Sequence, residues 1–474
     1  MIWANMLAIV ACIGLVVASR LRRRIWLLTD LAMVMVCITF IILPVVASIT
    51  SGLYREYLRT DIVFAVLAFW AGVEFTNRIY LARRHVHQVP VGRILPNLVV
   101  SIRAIPLLAV AICLGLTWLV RFWLLQYGMF FSGSATLDRV LSLPYPLVVL
   151  SFLTGLLTPI LMVWAGDKLF SSRGSGQRDF AGAILAVLVV GGEFVHGFAS
   201  GRRMLIQLFF MMAMPCLMLG GRRGQVRGAL IGLAGIITMI QLSPFFLEMR
   251  EQLPQLSEVT RFGQVLDVAG ETRDYGDRAI MQERSRENVA ARMFFVHRFV
   301  GDLLTAQETH GPMLGRNLLN AVASAIPRVL WPGKIGRYAP EQQILVWHEM
   351  PVHDMSSTWV AAGVADGGYV GAFFYGVLFG LLMFGLLQFV YFSSNLPLFL
   401  KMIFVGQLLH LAFNVESDMG SVFVMLRNMA ILVLFFHFWR PSRMRRPMAQ
   451  GFATRRPAEQ GRAPPYPASR TPGT

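Results

Sequence analysis

The sequence predicts an all-α fold: a polytopic transmembrane helix bundle of about eleven spans, with one large polar loop region on its outer face. Three observations carry this reading. Of 474 residues, 55% are hydrophobic and only 15% charged, with a mean hydropathy of +0.58, whereas soluble domains carry about 25% charged residues. Apolar runs near the ~20 residues that a helix needs to cross a bilayer recur along the chain. The runs are continuous rather than alternating, which excludes a barrel and leaves helices to satisfy the backbone in lipid.

Charge sets the orientation. The net charge is +17, but the arginines cluster in short loops between apolar runs. That is the positive-inside pattern rather than a nucleic-acid patch. Span one, 2–19, runs into Arg20, Arg22, Arg23 and Arg24. No basic residues precede it, the reverse of a cleavable signal, so it is expected to stay as a span with the N-terminus outside. Span two is 25–49, and the outer loop after it holds Arg55 and Arg59. Span three, 61–82, returns to a basic stretch, 83–103, whose mixed character suits an interfacial helix. Span four is 104–125 and span five 146–165, ending near Lys168, Arg173 and Arg178. Span six, 180–199, turns tightly at Gly201-Arg202-Arg203 into span seven, 204–219, and span eight is 229–247. Spans nine, ten and eleven are 369–392, 398–413 and 421–439.

The chain is thus expected to divide into spans one to eight (1–247), a large partly helical outer segment (248–368), spans nine to eleven (369–439) and a disordered basic cytoplasmic tail (440–474). Within the outer segment Val289, Met293, Val296, Val300 and Leu303 follow a helical period that Gly311-Pro312 breaks. A second short helix fits 317–325, before Pro327. A segment this long reads as an ordered lid packed on the bundle.

Cys12, Cys37, Cys113 and Cys216 all lie in apolar segments, so neither a disulfide framework nor a zinc site is indicated. No metal or cofactor is expected, and no phosphate-binding loop or zinc-protease motif occurs. Candidate chemistry gathers on the outer face. Arg202 and Arg203 suit a bidentate diphosphate partner, or else snorkel to lipid phosphates. Arg328 and Lys334 bracket Trp331-Pro332 and offer two more cations, or form an ordinary interfacial loop. His353 is a candidate general base with Asp354 orienting it, against a solvated loop histidine. His348 competes with it, and His297 and His310 do so more weakly. Asp366, Glu416 and Asp418 are candidate sugar ligands. Glu193 and His196 share a helix face, where a mutually satisfied polar pair is the favoured reading over a functional one. Glu74 reads as structural. Gly376 and Gly380 have the spacing for close helix packing.

The run Ser324-Ala-Ile-Pro-Arg-Val-Leu-Trp-Pro-Gly-Lys334, lying before Gly368-x-x-Gly371, resembles the bacterial O-antigen polymerase family. His353 followed by Asp366-Gly-Gly-Tyr-Val-Gly371 also resembles a segment of the related O-antigen ligases, and Gly201-Arg202-Arg203 is similar to the outer-face arginine of both groups. The resemblance implies a metal-independent membrane glycosyltransferase of the C-like fold in the bacterial inner membrane. It implies polymerisation of undecaprenyl-diphosphate-linked oligosaccharide repeat units on the periplasmic face. Donor and acceptor would both be lipid-linked, and a chain-length regulator would be a partner. By position, Arg202, Arg203 and Arg328 would bind the diphosphate and His353 would be the base. The sequence departs from the ligase pattern after His353, where Asp354 and Met355 stand.

Two other readings stay open: a ligase-type transfer of finished glycan to another carrier, and a polysaccharide or lipid transporter. The first differs in product only. The second calls for charged or broken helices at the membrane midplane. The topology makes one prediction that all the transferase readings need. Cysteines placed at Arg202 and at Trp331 are expected to react equally with an impermeant maleimide from the outside of intact cells. Labelling from opposite sides would rule out a shared site.

Overall fold

A computed structural model describes residues 2–22, 27–51, 58–82, 99–127, 129, 143–171, 180–200, 202–251, 278–326, 330–331, 340–350, 358–392, 398–414 and 419–438. These residues are helical, with no strand among them. The helices are α1 (Ile2–Arg22), α2 (Leu28–Cys37), α3 (Leu43–Ser51), α4 (Thr60–Ala82), α5 (Leu107–Gln126), α6 (Tyr145–Gly155), α7 (Thr158–Gly166), α8 (Phe180–Ser200), α9 (Arg202–Leu219) and α10 (Gly221–Glu251). They continue as α11 (Arg278–His310), α12 (Arg316–Ser324), α13 (Pro340–Trp347), α14 (Trp359–Phe392), α15 (Leu398–Phe413) and α16 (Met419–Phe438). Six helical stretches among the described residues are long and apolar enough to cross a membrane. Helices lie over the remaining expected spans as well, but are shorter or less apolar. The stretch 83–98 and the tail from 439 lie outside the described residues.

Two helices form the centre. α4 and the second limb of α14 pack in parallel, with Tyr80 stacked on Phe384 at 4.0 Å and Thr76 beside Gly380. The approach is backbone on backbone. A Cβ at Gly72 would lie 2.1 Å from the Phe373 carbonyl oxygen, and one at Gly376 would lie 2.1 Å from that of Phe69. Small residues permit such contact where no hydrophobic force drives helices together.

Two interruptions among the described helices have a clear local cause. Pro44 has no N–H to offer the carbonyl four residues back, which is that of Phe40. The chain widens to a π turn at Ile38–Ile42 between α2 and α3. The Phe40 carbonyl receives the Nδ1 of buried His297 at 2.8 Å instead. In α14 the break falls at Gly367 and Gly368, and Gly368 has φ +59 and ψ −137, a region open to glycine alone. The first limb folds back along the second. Gly363 meets Ala372, and the Trp359 ring meets Phe379 edge-on at 5.3 Å. Span nine was expected to begin at 369, and the helical segment begins ten residues earlier, because the polar Asp366-Gly-Gly is a bend within it.

Ion pairs tie the helices together. Arg20 binds both Asp30 and Glu74, joining α1, α2 and α4, so Glu74 is structural as expected. Arg103 binds Asp167 through two bonds of 2.7 and 2.5 Å. Arg59 binds Asp61 and donates to the Gly301 carbonyl (3.1 Å) and the Thr305 hydroxyl (2.6 Å), tying α4 to α11.

The α4–α14 contact gives a paired test. Gly376→Ala is expected to cost about 1–3 kcal/mol, because the backbones must separate. Gly385→Ala, with nothing within 4 Å of its would-be Cβ, is expected to cost nothing. Unfolding of the purified variants measures both, and equal stability of the two would contradict the close approach.

Candidate functional site

The α14 break leaves the carbonyls of Val364, Ala365 and Asp366 without helical partners. The polar segment supplies them. The Gln307 side-chain amide donates to Val364 and to Ala365 (3.1 Å to the latter). The backbone N–H groups of Met313 and Leu314 donate to Ala365 and Asp366 at 2.9 Å each.

The Asp366 carboxylate does a second job from the same place. It accepts the Asn317 and Leu318 N–H groups at 3.0 and 3.2 Å and the Tyr375 hydroxyl. Gly315, the residue before α12, has no side chain to cap the helix, so Asp366 caps it from across the fold. The other two early N–H groups are met locally, Arg316 by Met313 (3.2 Å) and Leu319 by Gly315 (3.0 Å). Asp366 is buried and all its oxygens are engaged, so it is a fastening residue and is not carried forward as a sugar ligand.

At the far end of α12, Arg427 of α16 donates to the Ala325 carbonyl at 3.3 Å, and the Ser324 hydroxyl donates to Gly420 at 3.2 Å. Arg427 was missed in the sequence because it lies inside an apolar run. Two residues beyond Ala325 begin Pro327 and Arg328.

Beside the first limb of α14 is a small, partly open crevice. Phe69, Trp359, Phe379 and Leu411 form apolar walls, with Thr358 and Asn414 at its edge. The Trp359 indole N–H is buried with no partner among the described residues. In the chain, Thr358 directly follows the segment holding His353 and Asp354, and Asn414 directly precedes the one holding Glu416 and Asp418.

These four residues, together with Arg328 and Lys334, lie outside the described residues. Arg202 and Arg203 are the first two residues of α9, whose first turn contains no acid. Trp331 is half-buried. The structure therefore brings together Asp366 and the start of α12. It places the two arginines on a helix that packs with α7, α8 and α10.

A second polar cluster lies among α5, α7 and α8. The Glu193 carboxylate accepts from Arg121 at 2.8 Å and from the Thr158 hydroxyl at 2.9 Å. Arg121 also lies over the Trp118 ring at 5.4 Å. The expected Glu193–His196 pair is corrected to Glu193–Arg121, since same-helix spacing says nothing of a partner on another helix. Glu193 Oε1 and Arg121 Nη1 have no partner among the described residues.

Comparison with protein-family models, with curated proteins and with solved structures gives no match to this chain.

The histidines separate clearly. His297 is wholly buried, its Nδ1 held by Phe40 and its Nε2 facing the Arg59 N–H at 3.4 Å. His348, at the end of α13, is also buried. Burial, then the charge of His310, hold its pKa down to about 4, with the Ala365 backbone acting weakly the other way. The ring is therefore neutral at pH 7, the form a base needs, but is shut from solvent. In the unfolded chain it binds a proton near 6.5, so stability is lost as pH falls from there and levels off near 4. The melting temperature is expected to fall across this window. His348→Gln should flatten the fall, and an unchanged slope would mean that His348 is not held neutral.

Proposed function

We propose that the chain is a metal-independent membrane glycosyltransferase that polymerises undecaprenyl-diphosphate-linked oligosaccharide repeats. In this reading it works on the periplasmic face of the bacterial inner membrane, with about eleven spans, the N-terminus outside and the C-terminus inside. The observation that carries the reading is α12. It is capped by Asp366 and leads straight into the cationic Pro327–Lys334 run, the stretch on which the resemblance to the polymerases rests. The parallel packing of α4 and α14 supports the alternation, since spans three and nine run in the same sense.

The chemistry needs few parts. An acceptor hydroxyl oxygen bonds to the donor's anomeric carbon with inversion. The bond from that carbon to the diphosphate oxygen breaks, and its electron pair leaves on the phosphate. Arg202, Arg203, Arg328 and Lys334 neutralise the charge that develops there. His353, oriented by Asp354, takes the hydroxyl proton, with Glu416 and Asp418 on sugar hydroxyls. The donor carries its own leaving group, so no nucleotide is needed.

One observation favours a transporter instead. The helix over span five is interrupted between α6 and α7, beside the buried Arg121–Glu193 pair, and broken helices with ionisable groups mark substrate paths.

The readings part on product. In a strain lacking the native gene, Arg202→Ala and Arg328→Ala are expected to reduce polymer about 100-fold at equal protein level, the scale for losing one charge-stabilising donor. Wild-type ladders from both would remove the clamp. Glycolipid flipping by liposomes that form no polymer would select the transporter.

A further inference from the structure

We infer that Asp366 and Arg427 bracket α12 at its two ends and so act as positioning residues for the 327–334 run. The inference rests on the proposed transfer only for the purpose of that positioning. The bracket itself rests on geometry.

A helix has a partial positive charge at its N-terminus and a negative one at its C-terminus. α12 receives a carboxylate at the first and a guanidinium at the second. Asp366 accepts from Asn317 and Leu318, and Arg427 donates to the Ala325 carbonyl at 3.3 Å. Neither residue belongs to α12 or to the 327–334 run. Asp366 sits at the bend of α14, held by the Tyr375 hydroxyl. Arg427 sits within α16, its Nε and Nη2 fixed on the Asn428 carboxamide at 3.0 and 2.8 Å.

The bracket has a reason to exist. Nine residues make an unstable helix in isolation, because nucleation costs more than so few bonds return. α12 nonetheless carries exposed Leu319 and Leu330 lies just beyond it, so burial alone is a poor anchor. Two charged side chains from separate helices of the bundle set both its position along its axis and its direction. The chain leaves the clamped end through Ile326 into Pro327, whose ring stiffens the exit. A shift of α12 along its axis would carry Arg328 with it. Arg427 thus sets where the helix that leads into this run stands.

The test uses full-length protein in nanodiscs and hydrogen exchange read by mass spectrometry. Arg427→Met removes the donor and the charge but keeps length and apolar packing. It is expected to raise exchange in peptides covering 316–326 about tenfold, the scale of one hydrogen bond to a charged group. Peptides of α4 and of the second limb of α14 should not change. Arg427→Lys, which can still donate to the Ala325 carbonyl, should restore protection, and Asp366→Asn should lose it from the other end. Unchanged exchange in Arg427→Met would overturn the bracket. If that variant loosens everywhere, the lysine variant decides: protection regained supports the bracket, and protection still missing overturns it. Polymer formation in the complemented strain is the second readout. A tenfold loss in Arg427→Met that Lys restores supports positioning, whereas full polymer despite a loosened α12 overturns it. If the wild-type chain itself makes no polymer, the transfer reading falls while exchange still decides the bracket.

Discussion

The carboxylate of Asp366 receives donors from three places: the backbone of Asn317, the backbone of Leu318 and the hydroxyl of Tyr375. A buried carboxylate without such donors would be costly by several kcal/mol, and with them it becomes an anchor. Its position follows from the next two residues. Only because Gly367 and Gly368 stop the helix does Asp366 stand at an end, where its side chain can face α12 and its carbonyl can face Leu314. The two glycines and the acid form one device. Gln307, Met313 and Leu314 complete it by meeting the carbonyls that the bend releases.

The same logic appears at the other interruption. Pro44 releases the Phe40 carbonyl, and His297 of α11 takes it. Four residues before Gly301 and ten before Gln307, His297 lies on the same helix that also receives Arg59 and reaches the α14 bend. α11 is therefore held to the bundle at sites where the bundle's own helices are broken. Non-helical backbone among apolar helices is tolerated where protein satisfies it. Here the satisfaction comes from the polar segment, so the breaks are its sockets. A proline and a pair of glycines that weaken single helices strengthen the join between two parts of the chain.

This explains what the sequence could and could not reveal. Period and punctuation are local, and they located α11, its stop at Gly311-Pro312, and α12 within a residue. Small-residue spacing pointed to Gly376 and Gly380 as packing positions, and they meet Phe69 and Thr76. Pairing is not local. Glu193 looked toward His196 because both lie on one helix, yet its partner Arg121 stands 72 positions away. Asp366 looked like a ligand because it lies among glycines in a polar stretch, yet two of the three groups it binds come from nearly 50 residues upstream. Arg427 was hidden by the apolar run around it. A charge within such a run signals a partner elsewhere, but spacing alone does not say which one.

The arginines of the fold carry the last step. Arg20 has Asp30 and Glu74, Arg59 has Asp61, Arg103 has Asp167 and Arg121 has Glu193. Arg20 and Arg121, the buried arginines among the described residues, each hold a carboxylate, as the cost of burying a lone charge requires. α9 begins with two arginines at the helix end that bears partial positive charge, and its first turn has no acid. A helix start of this kind is suited to an anion. In the proposed transfer that anion is the diphosphate, whose charge grows as the bond to the sugar breaks. Positive charge fixed in advance then binds the transition state more tightly than the ground state, which is the differential binding that the proposal requires.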